Sequence, residues 1–120
     1  MKIEVHRLNG SEIAEIVSEN PVITTTSDGV DLVGNLYFQG FDKIIMHKKN
    51  ISPDFFDLKT GMAGEILQKF SNYRVRLAII GNLSDYDSKS MKDFISESNK
   101  SGHINFVESK AEALDKFSGH

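Results

Sequence analysis

The sequence predicts an α/β fold: a single domain on a mixed, mostly parallel five-stranded sheet, its elements in the order β-β-α-β-α-β-α-β-α. Three observations carry that prediction. Alternating apolar and polar residues open the chain and run into Asn9-Gly10, a tight-turn signal. The contiguous apolar run Ile44-Ile45-Met46 is typical of a strand covered on both faces, and residues 75–80 make the most hydrophobic strand. Stretches with apolar residues at helical spacing separate these runs, and such alternation demands parallel strands joined by right-handed crossovers.

The elements follow in order. Ile3 and Val5 alternate with Lys2, Glu4 and His6, which predicts a half-buried strand. After Asn9-Gly10 a second strand runs over residues 13–17, and so short a connection makes the pair antiparallel. A short β-branched stretch, residues 22–26, follows Asn20-Pro21. Thr26 or Ser27 is expected to cap a helix whose apolar positions are Val30, Val33, Leu36 and Tyr37, with Gly40 as its stop. Residues 43–47 form the next strand.

Ser52-Pro53-Asp54 combines a capping hydroxyl, a proline suited to a first helical turn and a carboxylate that complements the helix dipole. A long amphipathic helix is therefore expected from Pro53 onward, with Phe55, Leu58, Met62, Ile66 and Phe70 as its buried stripe. Gly61 and Gly64 inside it would each cost about 1 kcal/mol relative to alanine, which asks for close packing or function. Residues 75–80 make the central strand, and residues 81–87 a polar loop. Ser88 opens a helix carrying Met91, Phe94 and Ile95, which ends near Gly102. Ile104, Phe106 and Val107 make the last strand. Ser109 caps a terminal helix through Ala111, Leu114 and Phe117.

The composition narrows the functions available. With 120 residues, 39% hydrophobic and 26% charged, the chain has the make-up of one globular domain with its own core. Its net charge is −3 and its basic residues are interleaved with acids, Lys48-Lys49 being the longest cluster, so no nucleic-acid partner is expected. The chain has no cysteine, hence no disulfide or thiolate chemistry. It shows no apolar run long enough for a signal peptide or membrane helix, so the expected setting is the cytoplasm, without a membrane partner.

No cofactor, metal or catalytic residue is assigned. Neither a Gly-x-Ser-x-Gly elbow nor a Walker-type phosphate loop is present. The histidines are expected to be scattered and solvent-facing: His6 in the hairpin, His47 at the carboxyl end of its strand, His103 near the amino end of another, and His120 at the end of the chain.

Two surfaces are candidates. Ser52, Asp57 and Thr60 at the expected helix start suit a phosphorylation switch, although capping is the plainer reading. Asp57, Gly61, Gly64 and Gln68 are expected along one side of that helix. They would admit a ligand, a protein partner or a second copy in a homodimer; packing within the domain is the plainer reading. The other surface is the carboxyl edge of the sheet, where open α/β sheets bind ligands. It collects residues 47–52 and 81–87, with His47, Asn50, Asn82, Ser84 and Tyr86 as the candidates there.

Two stretches carry a family resemblance. One is Phe55-Phe56-Asp57-Leu58-Lys59-Thr60-Gly61-Met62-Ala63-Gly64-Glu65-Ile66-Leu67-Gln68-Lys69-Phe70, continued by Asn72-Tyr73-Arg74-Val75. The other is Ser88-Lys89-Ser90-Met91-Lys92-Asp93-Phe94-Ile95-Ser96-Glu97-Ser98-Asn99-Lys100. Together they resemble the domain-of-unknown-function family DUF4180 over nearly the whole chain, most weakly in the N-terminal hairpin. That resemblance implies a bacterial cytosolic protein and transfers no activity. The element order also resembles the STAS domain, a hairpin followed by βα repeats with a phosphorylatable serine at the start of the second helix. Asp57, Thr60 and Gly61 match that motif in kind, with one extra residue and Lys59 intervening. This likeness implies a non-enzymatic, STAS-like interaction or regulatory module with an unidentified protein partner. The alternative is a small-molecule sensor or weak enzyme using the loops at the carboxyl edge.

Overall fold

Asn9 and Gly10 both take positive φ, 51° and 81°. A turn of that kind matches the twist of the strands it joins, so β1 (Lys2–Leu8) pairs antiparallel with β2 (Ser11–Val17), Leu8 opposite Ser11. The computed structural model describes residues 1–118. Three more strands, β3 (Lys43–His47), β4 (Arg76–Ile80) and β5 (Ile104–Val107), add to β2 in parallel. The sheet order is β1-β2-β3-β4-β5.

Four helices connect or follow these strands: α1 (Thr26–Phe38), α2 (Met62–Asn72), α3 (Lys89–Ser101) and α4 (Lys110–Phe117). Each parallel strand lies beside its predecessor in the same direction, so right-handed crossovers put α1, α2 and α3 on one face. There Ile16, Ile44, Met46, Leu77, Ile79 and Phe106 meet Val33, Leu36, Ile66, Phe70 and Met91 in the main core. Helix α4 comes after the last strand and covers the other face, where Ala113 and Phe117 pack on Ile45, Ala78 and Val107. No helix among the described residues is long and apolar enough to cross a membrane.

Most expected elements form, including the stops at Gly40 and Gly102, which take φ of 96° and 77°. Ser88 and Ser109 cap α3 and α4 as their hydroxyls accept from Met91 and Glu112 N–H groups. The cap of α1 is Thr25, one residue earlier than expected. Its hydroxyl accepts from Asp28 N–H while the Asp28 carboxylate accepts from the Thr25 N–H, a reciprocal box that Asp28 makes possible. The stretch over residues 22–26 contributes one isolated parallel bridge, Ile23 with Ile51.

The long helix expected from Pro53 is not continuous. Two single-turn helices, Pro53–Phe56 and Leu58–Thr60, precede α2. The Asp57 carboxylate accepts from Lys59 N–H, and the Thr60 hydroxyl donates to the carbonyls of Asp54 and Asp57 while accepting from Met62 N–H. Short polar side chains thus take over the backbone groups a helical ladder would use. Gly61 completes the break at φ 77°, a left-handed conformation that glycine adopts without strain. It caps α2 and carries no helix-interior penalty. Four of the five expected stripe residues, Phe55, Met62, Ile66 and Phe70, are buried against the sheet, while Leu58 is only partly buried.

Candidate functional site

Strands β3 and β4 run parallel with His47 opposite Ile80, so the chain leaves both at the same edge. Beyond β3, the buried side-chain amide of Asn50 donates to the carbonyls of Ser18 and Asn20 at 2.8 and 2.9 Å. The backbone carbonyl of Asn50 accepts from Val22 and Ile23 N–H, while its side-chain Oδ1 is buried without a partner. This clamp ties the exit of β3 to the connection leaving β2. Beyond β4, the side-chain Oδ1 of Asn82 accepts from the N–H and hydroxyl of Ser84, and Leu83 N–H donates to the Glu108 carboxylate at 2.9 Å.

Between the two connections lies a cleft of about 890 Å³, a volume suited to a small molecule. His47, Lys48, Ser52, Phe56 and Asp57 line one side; Gly81, Asn82, Asp85, Tyr86 and Ser88 line the other. Its wall is aromatic. The rings of Phe56 and Tyr86 stand 5.4 Å apart, and Tyr86 meets Phe106 edge-on behind them. Lys48 Nζ lies 4.7 Å from the Tyr86 ring and 5.6 Å from Phe56, in cation–π range, and 3.7 Å from the Asp85 carboxylate. Gly81 makes room for that lysine: a Cβ there would stand 2.8 Å from Lys48 Cβ.

Tyr86 is only 4% exposed, and its hydroxyl has no hydrogen-bond partner. Burial, and then the charge of Asp85, push its pKa above the ordinary tyrosine value. The two serines of the lining are engaged as caps, Ser52 accepting from Asp54 N–H and Ser88 from Met91 N–H.

His47 joins the cleft to a second cluster. Its Nε2 lies 2.7 Å from Glu15 Oε2, while His6 Nε2 and Lys110 Nζ lie 2.8 and 3.1 Å from Glu15 Oε1. The Glu15 side chain is 2% exposed. Burial alone would raise its pKa; hydrogen bonds from His47, His6 and Lys110, with the lysine charge, outweigh that and lower it to about 2.

Several expectations are thereby relocated. His47, Asn82 and Tyr86 line the cleft together with Ser52 and Asp57, whereas Asn50 and Ser84 stand outside the lining. Thr60 spends its hydroxyl within its own turn. Asp57, Gly61, Gly64 and Gln68 do not share one helix side, because the helix begins after Gly61. Gly64 and Gln68 border a separate groove of about 410 Å³ with Val30. A Cβ on either Gly61 or Gly64 would meet nothing within 4 Å, so close packing explains neither glycine.

His6 and His47 are not scattered. The adjacency of β1, β2 and β3 brings both to one carboxylate. His103 Nε2 is buried without a partner, and His120 lies outside the described residues. No group of three or more metal-type side chains that could hold an ion occurs among the described residues.

The sequence reading missed Glu15, Lys48, Phe56 and Ser88. For Glu15 a signal existed: it stands between Ile13-Ala14 and Ile16-Val17, and a carboxylate inside an apolar strand needs buried partners. The chain matches the family described as a domain of unknown function, DUF4180, over residues 8–117. No curated protein and no solved structure matches it.

Proposed function

The chain belongs to the DUF4180 family, and from the cleft this member presents we propose that it binds a small, flat, partly apolar molecule at the carboxyl edge of its sheet. One observation carries the reading: two parallel strands end side by side over a cleft of about 890 Å³ whose aromatic wall includes a buried tyrosine with an unpartnered hydroxyl. Apolar lining with a few placed polar groups is the usual make-up of a ligand site. Binding is favoured over turnover because both lining serines are held as helix caps. The cytoplasmic, STAS-like interaction reading gains less support, since the Thr60 hydroxyl that it would modify makes three hydrogen bonds within its turn.

The test is a fragment screen on ¹⁵N-labelled protein by NMR. Binders should shift amide resonances in residues 47–57 and 80–88. Shifts that map instead to the groove around Gly64, or no shifts at millimolar fragment, reject the reading.

A further inference from the structure

We propose that β1 is the joint of a two-fold symmetric dimer, in which the free edges of two β1 strands pair antiparallel about Val5 and the sheets of two copies become one. This surface is separate from the cleft, whose lining includes no residue of β1.

The sheet ends in β1 on one side and β5 on the other, and the two edges differ. Strand β5 has four residues, and Asn99 occupies both the N–H and the carbonyl of Phe106. Strand β1 has seven residues, contains no proline, and keeps an unbroken register on β2 from Lys2 opposite Val17 to Leu8 opposite Ser11. Short length, proline, bulges and a covering group are the devices by which an edge avoids pairing with another chain. Strand β1 has none of these four.

The hairpin decides which backbone groups of β1 face outward. In a turn with Asn9-Gly10 at its centre, Ser11 N–H donates to the Leu8 carbonyl, so Leu8 turns its backbone groups toward β2. Alternation along an antiparallel pair gives His6, Glu4 and Lys2 the same sense. Ile3, Val5 and Arg7 therefore present N–H and carbonyl to the open side, where no other backbone group bonds them among the described residues.

The side chains select the register. Val5 stands opposite Ala14 and Ile3 opposite Ile16, both on the main-core face; Ile3 packs on that core, whereas Val5 is 48% exposed. Two-fold pairing keeps facing residues on one face, so it is centred on a single residue. A centre at Glu4 sets two carboxylates directly opposite each other, which is unfavourable. Val5 is the midpoint of Lys2–Leu8, and a centre there pairs all seven residues: Val5 with Val5, Glu4 with His6, Ile3 with Arg7, Lys2 with Leu8. An apolar row then runs from Ala14 through both valines to Ala14 of the second copy. An isologous contact of this kind closes at two copies. Two strand edges make a small interface, so association is weak and depends on concentration.

The chain has no cysteine, so one can be placed at the axis. The Cα atoms of the backbone-bonded Val5 pair would stand about 5.5 Å apart, within disulfide reach. Those of Arg7, an 82% exposed side chain, would stand roughly 14 Å apart in the same dimer, beyond reach. Under mild oxidation Val5→Cys should become covalent dimer while Arg7→Cys stays mainly single.

Light scattering on the native chain should rise from the mass of one copy toward twice that mass between micromolar and millimolar protein. Val5→Lys, which sets two ammonium groups at the axis, should remain at the mass of one. A native chain of single mass up to millimolar protein overturns the dimer. A dimer that persists in Val5→Lys, or cysteines that cross-link equally at both positions, overturns the β1 joint. Should Val5→Lys fail to fold, the two cysteine variants, both at exposed sites, decide alone.

Discussion

A Cβ placed on Gly29 of α1 would stand 2.4 Å from Cδ1 and 2.7 Å from Cγ1 of Ile66 on α2. The two helices therefore touch where one has no side chain. Ile66 is 1% exposed, and a β-branched residue in a close-packed core has little freedom to swing aside. Gly29→Ala is expected to destabilise the fold by about 1–3 kcal/mol through overpacking, despite alanine's better helix propensity. Gly64→Ala, which enters open space on a helix, should stabilise by up to about 1 kcal/mol. Urea midpoints of the two variants should move in opposite directions; a harmless Gly29→Ala would reject the packing argument.

That pair also shows where legibility ended. Gly29 and Gly64 are both glycines in amphipathic helices, and what separates them is a neighbour far away in the chain. Features with local causes were readable: the Asn9-Gly10 hairpin, the Ser88 and Ser109 caps, and the glycine stops at Gly40 and Gly102. The break before α2 was not, because Pro53 and Asp54 do start a helical turn, which Asp57 and Thr60 then divert with side-chain hydrogen bonds. The cleft was partly legible, since parallel strands always deliver their following loops to one edge, and His47, Asn82 and Tyr86 stand there. The Glu15 cluster needed the order β1-β2-β3, which no local pattern specifies.

Acid stability should depend on Glu15. Folding lowers its carboxyl pKa from an ordinary 4.5 to about 2. Between those values the unfolded chain binds more protons, so stability rises with pH across that window. The contribution is complete above about pH 5 and is lost as the pH falls toward 2. Allowing for solvent screening at the partly exposed histidines, roughly 2 kcal/mol is at stake. Urea unfolding at pH 7 and pH 3 should show the native chain losing more stability than Glu15→Gln by about 1 kcal/mol, the remainder being retained at pH 3 because that lies above the folded pKa. Equal losses would mean that the carboxylate is not held as described.

Strand β5 lies at one edge of the sheet, and Asn99 of α3 pairs with it as another strand would. Phe106 N–H donates to Asn99 Oδ1 at 2.7 Å, and Asn99 Nδ2 donates to the Phe106 carbonyl at 3.2 Å. Asn99→Ala leaves both backbone groups without these partners, at an expected cost of about 1–3 kcal/mol. It also frees part of the edge for pairing between chains. Thermal unfolding should shift down, and light scattering should report association at rising concentration. Asn99→Asp, which keeps the acceptor and loses the donor, should fall between the two. A variant as stable and as dispersed as the native chain would show that water replaces the asparagine without loss.

Tyr86 carries a hydroxyl that stability does not need. The side chain is 4% exposed and its oxygen has no partner, so folding strips water from a polar group and returns no hydrogen bond. Tyr86→Phe keeps the ring contacts with Phe56 and Phe106 and removes that cost, so the variant should be as stable as the native chain or up to about 1 kcal/mol more so. The pH dependence gives an independent check. Burial first, and the Asp85 charge second, raise the folded pKa of Tyr86, so above about pH 10 the unfolded chain releases a proton that the folded chain keeps. Stability from this group is thus complete below that pH and is lost as the pH rises further. Urea unfolding at pH 7 and pH 10.5 should show a smaller alkaline loss in Tyr86→Phe than in the native chain. If the variant is instead less stable at pH 7 by more than about 1 kcal/mol, the hydroxyl has a partner in the folded chain.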